Sequence, residues 1–94
     1  MLPKKNLRQA GDMLDETEVI TRMMHVLHSF AIYDLKKLSW SNNFEDEGID
    51  SLESTAVITS IEHEFHTIFE DNIFDSFENL NDVKKQLVTD HNAF

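Results

Sequence analysis

An all-α fold is expected for this sequence: a four-helix bundle of three main helices and a short third one, with a long loop between helices 1 and 2. Three observations predict it. Only Gly11, Gly48 and Pro3 interrupt the chain's helical character. Its β-branched residues do not alternate at period two, and its apolar residues recur in separated runs at helical spacing. A chain of 94 residues, 40% of them hydrophobic, suffices for one modest core. The expected division is a basic N-terminal segment over residues 1–14, a folded domain over 15–90 and a short tail over 91–94.

The N-terminal segment stands apart by charge. Lys4, Lys5 and Arg8 are its only charges before Asp12, and Pro3 blocks an earlier helix start. It reads either as part of a mitochondrial-type presequence or as an ordinary frayed terminus. The first helix begins near Asp15, which with Glu18 has the spacing of a capping box. Val19, Ile20, Met23, Val26, Leu27 and Phe30 form its apolar face, with Met24 on the flank. His25 and His28 are three apart but have no third ligand nearby, so they do not make a zinc site.

From Tyr33 to Ile49 the helical pattern breaks. Ser39, Ser41, Asn42, Asn43 and Gly48 mark a loop. Leu35, Leu38, Trp40 and Phe44 within it are apolar, and predict a loop packed across the helices. The second helix is expected over Ser51–Thr67, with Leu52, Ala56, Val57, Ile61, Phe65 and Ile68 inward and Glu53, Glu62 and Glu64 outward. His63-Glu64-Phe65-His66 brings its second histidine one residue too early for the metalloprotease pattern, and reads as surface. A short third helix over Asp71–Phe77 carries Ile73, Phe74 and Phe77. Asn79 or Asn81 caps a fourth helix that runs to Thr89, with Val83, Leu87 and Val88 inward.

Charge narrows the function. A net charge of −10 argues against a nucleic-acid partner, which needs a basic face. Between Lys37 and Lys84 there is no Lys or Arg, while that interval holds twelve Asp and Glu. Such a surface suits partners with basic patches, or serves only to keep the chain soluble. The absence of cysteine excludes disulfides, thiolate nucleophiles and Cys-based zinc sites. No apolar run approaches the length that crosses a bilayer, so direct membrane insertion is not expected.

Gly48-Ile49-Asp50-Ser51-Leu52-Glu53 is the stretch where chemistry concentrates. Asp50 is a favoured N-cap residue, which puts Ser51 first in the second helix, at the positive end of the helix dipole. On spacing alone this is a capped helix start, as any helical domain contains. It does not fit a calcium loop: with Gly48 at the sixth position, Ser54 falls where a bidentate Glu is required and Asp50 where an apolar residue belongs. Nor does it fit a nucleophile elbow, since Glu53 replaces the second glycine of Gly-x-Ser-x-Gly and no histidine is near in sequence. The surrounding carboxylates would oppose a developing oxyanion. What remains is a serine that is acted upon, in a chain that is not an enzyme.

These residues resemble the attachment motif of acyl carrier proteins, in which Asp-Ser-Leu opens the second helix. Leu38-Ser39 and Phe44 stand at the family's spacing ahead of Gly48. Glu62-His63-Glu64-Phe65 sits where the family has an acidic run ending in Phe, and Leu80-Asn81-Asp82-Val83 resembles the start of its last helix. The resemblance covers about residues 15–90 and is similar to the mitochondrial type. Ala56 and Glu70 depart from it, standing where many members have Glu and Pro. Asp75-Ser76-Phe77 repeats the motif only superficially, without a preceding Gly loop.

The resemblance implies that a phosphopantetheinyl transferase attaches 4′-phosphopantetheine to Ser51, between Asp50 and Leu52. The arm carries acyl groups as thioesters. It further implies an acyl-chain pocket lined by Val57, Ile61, Phe65, Phe69 and Phe77, for each of which a plain core role is an equal reading. Partner recognition would fall to Glu47, Asp50, Glu53 and Glu62. The implied partners are fatty-acid synthase enzymes with basic patches, and LYR-motif helical proteins through which such a carrier joins respiratory complex I on the matrix side of the inner mitochondrial membrane. A purely structural subunit without acyl shuttling, and a bacterial or plastid synthase carrier, are the alternative expectations.

Overall fold

The computed structural model describes residues 14–30 and 37–94. Among these residues there are four α-helices, α1 Glu16–Ser29, α2 Ser51–Glu64, α3 Asp71–Ser76 and α4 Leu80–Thr89, and the loop before α2 contains a 3-10 turn, Phe44–Glu47. The basic N-terminal segment, apart from Leu14, lies outside the described residues, as do Tyr33 and Leu35. Among the described residues no helix is long and apolar enough to cross a membrane.

α1 buries Val19, Met23, Val26 and Leu27 and leaves Met24 exposed, as its spacing predicts. Ile20 and Phe30 are only half-buried. The Asp15 half of the expected capping box does not form. Asp15 holds the N-cap backbone geometry without a side-chain cap bond. Glu18, its proposed partner, pairs with Arg22 one turn on, at 3.0 Å.

α2 differs more. It stops at Glu64, three residues short of the expected end, because His66 takes a left-handed conformation with φ 53°. The His66 N–H donates to the His63 carbonyl at 3.3 Å and the Thr67 N–H to the Glu62 carbonyl at 3.1 Å. This is a Schellman ending built on a non-glycine residue. Ile68 is thereby put outside the helix and is 88% exposed. Leu52, at 81% exposed, and Ala56 also face solvent. The inward set is Val57, Ile58, Ile61 and Phe65. The sequence pattern misled here because residues 54–61 carry no charge to mark an outer face.

α3 has no buried residue; half-buried Ile73 and Phe74 lean on the core. Asn79 caps α4 by accepting the Asp82 N–H at 2.9 Å. Leu80, Val83 and Leu87 of α4 complete the core with Phe44, Ile49, Phe69 and Ala93. α1 packs on both α2 and α4.

Arg22 ties α1 to the end of α2 and to the last residue. Arg22 donates to the Glu64 carboxylate at 2.9 Å, the Glu64 carbonyl at 2.6 Å and the Phe94 carbonyl at 3.1 Å. Its guanidinium lies 4.3 Å from the centroid of the Phe65 ring. The Glu64 carbonyl at the end of α2 is satisfied by this charge, which also suits the negative end of the helix dipole.

Candidate functional site

The loop that leads into α2 is held by its buried side chains and by hydrogen bonds to Glu78 and Asn81. Phe44 is buried, and its N–H donates to the Glu78 carbonyl at 2.9 Å. Leu38 and Trp40 pack half-buried against the core, as their apolar character predicts. The 3-10 turn ends at Gly48, whose φ of 77° is left-handed and suits glycine. Ile49 then buries its side chain and donates its N–H to the Phe44 carbonyl at 2.9 Å. The chain reaches α2 with its direction fixed.

Asp50 is the N-cap, its carboxylate accepting the Glu53 N–H at 2.8 Å. Ser51 is the first residue of α2 and is exposed. Its carbonyl accepts from the Ser54 and Thr55 hydroxyls at 3.1 and 2.8 Å. An open groove of about 420 Å³ lies beside it, lined by Phe44, Glu45, Ile49, Asp50, Ser51 and Ser54. Amides of the first turn beyond the one held by Asp50 are oriented for an anion, although Asp50 and Glu53 add negative charge there. Asp50→Ala is expected to cost about 1 kcal/mol of stability through loss of the cap, read from urea unfolding.

The structure separates the other site candidates. Val57, Ile61, Phe65 and Phe69 are buried together in the core, and half-buried Phe77 meets Phe69 edge-on at a centroid distance of 5.1 Å. None of these five lines the groove beside Ser51. Phe69 instead borders a groove of about 280 Å³ with Ile68 and Ile73, and Phe77 another toward α4. Of the four recognition carboxylates, three hold local backbone. Asp50 caps α2, Glu62 accepts the Phe69 N–H at 2.6 Å, and Glu47 accepts the Ser39 N–H at 2.7 Å. Glu53 is half-buried on the first turn.

Sequence reasoning missed Glu45 and Ser54 as neighbours of Ser51. Ser54 was findable, since a residue three along a helix shares the face of the first. Glu45 was not, because nothing local signals the turn that brings it round. Arg22 was missed as well; its partners lie 42 and 72 residues away.

His63 and His66 are exposed at the far end of α2, about 20 Å from Ser51 at 1.5 Å per residue. Among the described residues there is no group of three or more His, Cys, Asp or Glu that could hold a metal ion. Ser51 thus presents an exposed hydroxyl at the start of α2, open to modification by a separate enzyme.

Comparison with known proteins agrees. The family described as "Phosphopantetheine attachment site" matches residues 23–87. The chain belongs to this family, whose members hold a phosphopantetheine arm that carries acyl groups as thioesters and act as carriers, not enzymes. It is also similar to "Acyl carrier protein 2, mitochondrial" of Arabidopsis thaliana, with 32% identity over 82 residues. That match takes in 86% of this chain and 64% of the relative, so the chain spans under two thirds of the relative's length.

Proposed function

We propose that Ser51 is the attachment point of 4′-phosphopantetheine and that this chain is an acyl carrier protein of the mitochondrial type. The observation that carries the reading is the placement of Ser51: exposed, first in α2, and beside an open groove. The residues present fit the group. The free amides of the first turn suit its phosphate, and the groove along Phe44 and Ile49 offers the arm an apolar wall. When bound, the arm supplies the thiol that a cysteine-free chain lacks. This chain's own part is to hold the serine at a fixed helix start and to leave its approach open. A sheath for the acyl chain among Val57, Ile61, Phe65, Phe69 and Phe77 would require these core side chains to part, which the lightly anchored α3 favours.

The finer reading is service in fatty-acid synthesis in the mitochondrial matrix, with docking of LYR-motif proteins and membership of respiratory complex I. Its mitochondrial setting is supported by the name of the Arabidopsis relative, and charged docking by the acidic stretch from residue 38 to 83, which has no Lys or Arg. Phosphopantetheinyl transferase and acyl-handling enzymes with basic patches are the partners that such a surface suits. Intact-mass spectrometry of the chain from its native source tests the core of the proposal. The expected result is a gain of one phosphopantetheine, with or without an acyl group, on the peptide containing Ser51. A wholly unmodified Ser51 would overturn it.

A further inference from the structure

Glu47 stands four residues before Ser51, in a stretch where an acid would naturally be assigned to partner binding. Its carboxylate is turned the other way. Oε1 accepts the Ser39 backbone N–H at 2.7 Å, and Oε2 accepts from the Asn42 side-chain amide at 3.1 Å. These two bonds fold residues 39–47 back on themselves. The opposite edge of the same loop is sewn to the start of α4. The Asn81 N–H donates to the Trp40 carbonyl at 3.0 Å, and the Asn81 side chain donates to the Ser41 hydroxyl, also at 3.0 Å. The loop is thus held on two sides, and only Gly48, Ile49 and Asp50 separate the Glu47 latch from Ser51. The Glu47 carboxyl is held below the ordinary glutamate range, first by the Ser39 N–H and then by Asn42, against a weaker opposing effect of desolvation.

We propose that Glu47 is a positioning residue for the loading of Ser51: by closing the 39–47 loop it fixes the path of Gly48 and Ile49, and so the orientation of Ser51 toward the enzyme that modifies it. This rests on the carrier reading of Ser51. It gives Glu47 a role unlike that of a recognition acid, since both its oxygens already accept hydrogen bonds from the chain. Geometry matters here and charge does not. A glutamine at 47 can keep the Ser39 bond through its oxygen, while the Asn42 amide turns to accept from its NH₂ group. An alanine keeps neither bond.

The test is transfer of phosphopantetheine from coenzyme A to the full chain by a phosphopantetheinyl transferase, followed by mass at low and at high salt. Glu47→Ala is expected to lower the rate at saturating carrier roughly tenfold, with KM and its salt dependence unchanged. Glu47→Gln is expected to remain within about twofold of the parent, because it restores the loop without the charge. Equal losses in both variants, expressed in KM and shrinking with salt, would overturn the proposal and make Glu47 a recognition acid. An unchanged rate for Glu47→Ala would overturn it as well. Asn42→Ala, which removes only the weaker bond, gives a smaller loss should Glu47→Ala fail to fold. A separate measurement reads the latch without any modification. The Ser39 amide resonance should titrate with Glu47, with its midpoint below that of an ordinary glutamate. Since the folded value is depressed, the charge-assisted form of the latch is present at neutral pH and weakens to an ordinary neutral hydrogen bond as pH falls through that lowered value. A parent chain that is never modified at Ser51 overturns the carrier reading, and the proposal with it. A modified parent alongside a Ser39 amide indifferent to Glu47 overturns the proposal alone.

Discussion

Ser51→Ala is expected to abolish phosphopantetheine loading completely while leaving the unfolding curve within about 0.5 kcal/mol of the parent. The two halves of this result have separate causes. Loading needs the hydroxyl as nucleophile, and alanine has none. Stability does not need it: Ser51 is exposed, its carbonyl is what Ser54 and Thr55 use, and alanine is well tolerated in a helix. Ser76→Ala is the matched control, because Ser76 sits in a similar Asp-Ser-Phe triplet at the end of α3 and its hydroxyl donates to the Ile73 carbonyl at 2.6 Å. Mass spectrometry should find full loading of that variant. Loading of Ser51→Ala, or its loss in Ser76→Ala, would place the arm elsewhere.

Phe65→Ala is expected to cost about 3–5 kcal/mol, a large share of a total stability of order 5–15 kcal/mol. Phe65 is 0% exposed and is the largest of the fully buried side chains. It closes α2 and its carbonyl accepts the Phe94 N–H at 2.8 Å. Removing the ring leaves a void between α1, α2 and the last residues, and takes away the face over which the Arg22 guanidinium rests. Urea unfolding followed by helical circular dichroism measures the loss. A change below about 1 kcal/mol would mean that the surrounding side chains collapse into the space.

The comparison between sequence and structure turns on local against distant causes. Helix starts were legible, because Asp50 and Asn79 cap through their own side chains within three residues. The inner face of α1 was legible from its spacing, and so was the role of Ser51 as a helix start. The end of α2 was not, since a left-handed histidine gives no compositional warning where glycine would. The uncharged run from Ser54 to Ile61 hid which side of α2 faces out, and so Leu52 and Ala56 were assigned inward. Tertiary bonds defeated the reading of acids: Glu47 and Glu62 look like surface charges in the sequence, yet each accepts a backbone N–H in the fold.

Arg22 has a consequence for the order in which contacts form. It joins α1 to residues 42 and 72 positions further along, and contacts of such separation close only after a large loss of chain entropy. Local helices can form before it engages; the three-way junction at Glu64 and Phe94 cannot. Bonds absent from the transition state act on escape from the native state rather than on arrival. Arg22→Ala is therefore expected to speed unfolding more than it slows folding, read from the two arms of a urea chevron.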